Sequence, residues 1–184
     1  MTNEAGQQPP NFIHIYPDVL PRETCRAIVD RFEKDRRRAP SATEGGRNAA
    51  QGCGMLLDLG ARADWREVAE GVNRAVLSRI QHYAGQYPGL AAIVKGERCV
   101  LTYPLLERID PGQGFNWHID ASRHANMGRF LACLLYLADV EEGGQTQFAH
   151  QGVAVAPRAG SLLLFPPFWT YLHRGDTPVR GVKY

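Results

Sequence analysis

Apolar residues recur at helical spacing in two stretches of the N-terminal half, and in short runs broken by turn residues through most of the C-terminal half. In "YPDVLPRETCRAIVDRFEKDRRR", Cys25, Ile28, Val29 and Phe32 fall on one helical face. Pro21 suits the first helical position, and Arg36, Arg37 and Arg38 lie at the far end, where positive charge suits the helix dipole. In "ADWREVAEGVNRAVLSRIQHYAGQYPG", Trp65, Val68, Ala69, Val72, Val76, Ile80 and Tyr83 form a second stripe. Asp64 with Glu67 three residues later reads as a capping box. Between the two helices, Ala39 to Gly54 is rich in glycine and small residues and is expected to be a mobile loop, a candidate lid. "MLLDL" follows it as a short strand.

After Gly89 the pattern changes to strands: "RCVLTYPLLERI", "GFNWHID", "RFLACLLYLAD", "QTQFAH", "GVAVAP", "SLLLFP", "WTYLH" and "GVKY". Pro104 marks an edge position or a bulge in the first of them. Many short strands after two helices predict an α+β chain, mainly β: an antiparallel sandwich or barrel backed by helices. Residues 1–11 read as a flexible tail and 12–184 as a single domain, with helical support over about 12–89 and the strand-rich core over about 96–184.

Composition narrows the class. A chain of 184 residues with 44% apolar content suits one globular domain. A net charge of +2 is too small to point to nucleic acid, a membrane surface or a polyanion. The longest apolar run, Phe130 to Ala138, is shorter than the ~20 residues a spanning helix needs. "MTNEAGQQPP" lacks the features of a secretory signal, so a cytoplasmic location is expected. Cys25, Cys53, Cys99 and Cys133 form no CxxC pair and read as reduced thiols, with Cys133 a small core hydrophobe.

The chemistry starts at "FNWHID". His118 and Asp120 are two residues apart, so on a strand they share a face. That point is a hydrogen bond, a proton-transfer site or a metal. His173, in "FPPFWTYLHRG", is the third partner that favours a metal: two His and one carboxylate make the facial triad of non-haem iron(II) oxygenases. His14, His124 and His150 lack a paired carboxylate. No G-x-S-x-G elbow supports a Ser-His-Asp hydrolase, and no Gly-rich loop leads into a helix as a P-loop or dinucleotide fold requires.

The stretch from Glu97 to Tyr184 resembles the 2-oxoglutarate- and iron(II)-dependent dioxygenases of the prolyl-4-hydroxylase-like branch. "RIDPGQGFNWHID", "LLYLADVEEGGQTQF", "VAVAPRAGSLLLFP" and "LHRGDTPVRGVKY" stand in that family's order. The resemblance implies a double-stranded β-helix, or jelly roll. It implies Fe(2+) on His118, Asp120 and His173, with 2-oxoglutarate as cosubstrate, O2, and ascorbate as reductant. Lys183 matches the basic residue that pairs with the far carboxylate of 2-oxoglutarate, with Arg180 as the fallback cation. Tyr136 and Thr146 match or suit donors to the same carboxylate. Phe115 stands where peptidyl-proline hydroxylases often carry a substrate-contacting tyrosine, and Trp117 and Trp169 join it as substrate candidates. Two departures stand out. Ile109 occupies a usual tyrosine position, for which Tyr103 is a candidate substitute, and Lys183 is the penultimate residue, where ends fray.

The implied reaction is hydroxylation of an unactivated C–H, of a prolyl or other amino-acid side chain in a peptide or protein, with release of succinate and CO2. Rival readings are a hydroxylase of a free amino acid or small biosynthetic intermediate, and a non-catalytic jelly-roll binding module. A nucleic-acid demethylase is a third: Arg174 and Arg180 echo its R-x5-R spacing but follow His173 too closely. No nucleic-acid or membrane partner is expected, and the sequence does not indicate an oligomeric state.

Overall fold

The computed structural model describes residues 11–40, 53–57, 62–96, 100–121 and 127–184. Helix α1 (Arg22–Lys34) buries Cys25, Ile28 and Phe32, the stripe its sequence predicts. Pro21 stands one position earlier than expected, as the N-cap with φ −57°. Helix α2 (Arg66–Gly85) buries Ala69, Val76, Ile80, Tyr83 and Ala84. Its predicted capping box does not form: a 3-10 turn over Ala63–Trp65 precedes it, and no side chain caps it. The Asp64 carboxylate instead accepts hydrogen bonds from Arg37 at 3.0 and 2.7 Å. A charged partner from another element outbids a local cap. Helix α3 (Pro88–Gly96) was not visible as a helix. Its apolar run lacks the polar positions that give a helix its period, though Pro88 at its start is well placed. No helix among the described residues is long and apolar enough to cross a membrane.

The strands are β1 (His14–Tyr16), β2 (Ala39–Pro40), β3 (Cys53–Leu56), β4 (Leu105–Arg108), β5 (Phe115–His118), β6 (Ala132–Leu135), β7 (Glu142–Gly143), β8 (Thr146–Phe148), β9 (Val153–Val155), β10 (Leu162–Phe165), β11 (His173–Gly175) and β12 (Pro178–Arg180). Among the described residues the strands pair antiparallel, in the orders β1-β10-β6, β5-β11-β8-β9, β12-β7 and β2-β3-β4. The first two sheets face one another as a jelly roll. Strand β10 shows why. Leu162, Leu163, Leu164 and Phe165 are all fully buried, yet they serve two cores. Leu162 and Leu164 pack on Val76, Ile80 and Tyr83 of α2. Leu163 and Phe165 pack between the sheets on Tyr136, Phe148 and Val155. Period-2 alternation with both faces apolar is what a strand sandwiched between a helix layer and a second sheet requires.

Three sequence expectations change. Ala39–Pro40 and Cys53–Gly54 pair as strands, so the ends of the expected loop are a ladder; residues 41–52 lie outside the described residues, as do the tail 1–10 and His124. "WTYLH" is not a strand: Trp169–Tyr171 form a 3-10 turn, and β11 starts only at His173. β4 starts at Leu105, and Pro104 sits just before it, its carbonyl accepting from Leu57 N at 2.8 Å.

The P-x-x-G turn before β10 gives a stability test. Gly160 has φ +84°, and a Cβ there would stand 2.2 Å from the carbonyl oxygen of Leu20. That carbonyl belongs to backbone and cannot swing away as a side chain does. Gly160→Ala is therefore expected to destabilise the domain by roughly 2–4 kcal/mol, read as a lower urea midpoint with an unchanged slope.

Candidate active site

The three predicted metal ligands converge. His118 ends β5, His173 opens β11 opposite it, and Asp120 lies in the bend that follows β5. Ala121 N donates to Pro167 O at 3.1 Å and fixes that bend. Nε2 of His118 is 3.6 Å and Nε2 of His173 is 3.7 Å from Asp120 Oδ1. These separations are too long for hydrogen bonds. Two ligand atoms each ~2.1 Å from one ion stand at most ~4.2 Å apart, so the carboxylate can share an ion with both imidazoles. One ligand atom from each of the three residues can be chosen so that all lie within 4.8 Å of one another.

The other ring nitrogens settle the tautomers. His118 Nδ1 donates to Asn116 O at 2.7 Å, and His173 Nδ1 donates to Tyr171 O at 2.9 Å. A carbonyl only accepts, so each Nδ1 carries a proton, and in the neutral ring it is Nε2 that presents a lone pair to the site. Burial holds His173 below the ordinary imidazole range, against the opposing pull of Asp120. The neutral form is the one that ligates metal. The donor set thus fits a divalent transition ion with open positions.

A bulge decides which neighbours face the centre. His118 pairs with His173 but Phe115 pairs with Gly175, three steps on β5 against two on β11. Phe115 therefore joins His118 on the inner face, its ring centroid 5.9 Å from the imidazole. Trp117 faces out, under the Arg174 guanidinium at 4.8 Å. Trp169 is 74% exposed on the 3-10 turn. Of the three substrate candidates, Phe115 alone stands against a ligand. A cavity of about 390 Å³ opens beside it, lined also by Asn116, Trp117, Arg174, Gly175, Asp176 and Thr177. Gly175 was not singled out in the sequence, although it follows His173 by two. A Cβ there would lie 3.1 Å from Phe115 Cδ2 and 3.8 Å from Lys183 Nζ. Its missing side chain lets the Phe115 ring approach closely, while the lysine stands at ordinary contact distance.

Lys183 is buried, with Nζ 3.5 Å from Thr146 Oγ1 and 5.5 Å from the Tyr136 ring centroid. Tyr136 and Thr146 hydroxyls share a hydrogen bond of 2.8 Å. Burial pushes the lysine down to about 8, with Asp176 and Glu107 pulling the other way. Burial likewise raises the Tyr136 phenol, against its bond to Thr146. The cluster is a buried cation with two hydroxyls and no anion in hydrogen-bond range among the described residues. Arg180 does not stand with it: its Nε pairs with Glu141 at 2.6 Å in an exposed ion pair. Tyr103 is 48% exposed and does not replace the buried Ile109. His14 is engaged by the Tyr87 hydroxyl at 2.6 Å and His150 is exposed, so neither joins the triad.

Residues 104–184, which carry the triad, the bulge and Lys183, match the 2OG-Fe(II) oxygenase superfamily. The chain is similar to the probable prolyl 4-hydroxylase 9 of Arabidopsis thaliana, 28% identical over 198 positions and covering 92% of this chain. The chain spans 65% of that relative's length. Its fold is similar to that of a Pseudomonas putida prolyl-4-hydroxylase (20% identity, TM-score 0.65, covering 94% of this chain and 88% of that one). It is also similar to a prolyl hydroxylase from Trichoplax adhaerens in complex with a hypoxia inducible factor peptide fragment (18% identity, TM-score 0.72, covering 95% and 80%). At 18–20% identity these likenesses are of fold, the jelly roll described above.

Proposed function

We propose that the protein is a 2-oxoglutarate- and Fe(II)-dependent dioxygenase that hydroxylates a prolyl or other amino-acid side chain in a peptide or protein. The observation that carries this is a three-ligand face with a buried cation nearby: Lys183 Nζ stands beside Gly175, two residues after His173 on β11, and has no anion in hydrogen-bond range among the described residues. When bound, Fe(II) supplies the oxidation in which O2 and 2-oxoglutarate become succinate and CO2 while a substrate C–H becomes C–OH. His118, Asp120 and His173 would hold the ion, a three-ligand set of the kind that leaves positions for cosubstrate and oxygen. Lys183 meets the far carboxylate of 2-oxoglutarate, and Tyr136 and Thr146 donate to it. Phe115 packs over the His118 ring and limits what reaches the centre. Peptide substrates are supported by the naming of the relatives and by the peptide held by the Trichoplax neighbour.

The test is a panel of proline-containing peptides and free amino acids, incubated with Fe(II), 2-oxoglutarate and ascorbate. A gain of one oxygen by mass, equal in amount to succinate released, is the expected result for at least one peptide. Oxygen gain on free amino acids alone would replace the peptide reading. A Phe115→Ala variant is expected to raise KM for the peptide by roughly tenfold, on the order of a lost buried aromatic contact, with the KM for 2-oxoglutarate unchanged.

A further inference from the structure

Lys183 is brought to its buried position beside Thr146 and Gly175 by a very short pairing. Ile109 N donates to Lys183 O at 2.9 Å and Lys183 N donates to Ile109 O at 3.0 Å, and these two residues form an isolated bridge. The lysine's own side-chain hydrogen bond is long, at 3.5 Å to Thr146. Its position is therefore set by its backbone and by whatever fixes the neighbouring residues.

Those neighbours are Arg108 and Tyr184. Counting outward from an antiparallel bridge puts 108 opposite 184, on the face opposite Ile109 and Lys183. Both reach one carboxylate, that of Glu33, and Arg108 also donates from Nε and Nη2 to Asp110 Oδ1 at 2.9 and 2.7 Å. Arg108 Nη1 donates to Glu33 Oε2 at 2.8 Å, and the Tyr184 hydroxyl donates to Glu33 Oε1 at 2.9 Å. Arg38 Nη1 adds a third bond at 2.8 Å. The Tyr184 ring stands edge-on to Phe32, the residue before Glu33 on α1. Leu137 N, one residue after Tyr136, donates to Tyr184 O at 3.1 Å. Burial pushes Glu33 upward, and the Tyr184 hydroxyl, Arg38 and Arg108 more than offset it, so the group stays an anion.

We infer that Glu33 is a positioning residue for cosubstrate binding: by clamping Arg108 and Tyr184 on the outer face, it fixes Lys183 on the inner one. This rests on the reading of Lys183 as the cation for 2-oxoglutarate. Helix α1 then does more than cover the sheet. It sets where the positive charge stands relative to the three metal ligands.

Tyr184→Phe removes a single oxygen atom and is the cleanest probe. Calorimetric titration of 2-oxoglutarate into the Fe(II)-loaded protein without oxygen is expected to show about three- to tenfold weaker binding, the range of one lost hydrogen bond. KM for 2-oxoglutarate should rise in step while kcat at saturating 2-oxoglutarate and Fe(II) affinity stay unchanged. In a Lys183→Ala background the same substitution should change the affinity by less than twofold, because the group it positions is gone. Glu33→Ala serves as the second variant, expected to weaken 2-oxoglutarate by a similar factor and to add little to Tyr184→Phe. Melting curves identify any variant that fails to fold, and the other then carries the test. Equal weakening with and without Lys183, or no weakening in the parent, overturns the inference. A Lys183→Ala protein that binds 2-oxoglutarate normally overturns the cosubstrate reading itself, and the positioning role with it.

Discussion

Asp120→Ala is expected to abolish succinate release from 2-oxoglutarate, to below detection, while the domain stays folded. The carboxylate is the only anionic member of the three-ligand face and the one that stands within 3.7 Å of both imidazole Nε2 atoms. Without it two neutral imidazoles remain, a pair with no charge to offset a divalent ion. Fe(II) affinity should fall by more than the ~10–100-fold that commonly follows loss of a hydrogen bond behind a ligand. The fold should tolerate the change. The Asp120 side chain is a quarter exposed and lies in a bend fixed by backbone, so the stability change is expected to stay within about 1 kcal/mol. Isothermal calorimetry with Fe(II) and a urea melt check the two halves. Undiminished succinate release coupled to substrate oxidation would reduce the triad to a structural cluster.

Lys183→Met is expected to weaken 2-oxoglutarate binding by about ten- to a hundredfold, the range of a lost charge-assisted hydrogen bond. The same substitution is expected to stabilise the ligand-free protein. The lysine titrates at about 8 in the fold against an ordinary 10.5. Its charged form is therefore disfavoured by folding, and the penalty is fully present below pH 8. It fades as pH rises from 8 towards 10.5, where the unfolded chain loses the proton too. The shift corresponds to roughly 3 kcal/mol, an upper figure for what methionine recovers at pH 7. Urea melts of both proteins at pH 7 and pH 10 should show the gain at the lower pH and its loss at the higher. Binding carries the opposite sign. A dianion favours the ammonium, so parent affinity for 2-oxoglutarate should decline above pH 8, approaching tenfold per pH unit, and the methionine variant should lack that decline. A variant with lower stability at pH 7 and a parent-like pH profile would mean that Lys183 is not the buried, destabilised cation.

The sequence pattern carried the features that depend on one element at a time. The α1 and α2 stripes, the doubly apolar β10 and the spacing of His118, Asp120 and His173 could be read because period and spacing are local properties. What escaped it depends on two elements meeting. The choice between Phe115 and Trp117 turns on a bulge, and a register slip is a property of a strand pair, not of a strand. Asp64 carried a sound capping signal that Arg37, from the turn after α1, drew away. The resemblance ranks Lys183 above Arg180, but no local pattern says which of the two is buried. Only the bridge to Ile109 and the Glu141 ion pair separate them.

Both imidazoles are oriented by carbonyl oxygens, those of Asn116 and Tyr171. A main-chain carbonyl is present whatever side chain the residue bears. The proton placement that readies each Nε2 is therefore invisible to point substitution at those two positions. It is exposed instead to changes in chain length, because adding or removing one residue between carbonyl and ring rotates the acceptor away. Heritable variation around this centre should be filtered as insertions and deletions far more strictly than as amino-acid replacements.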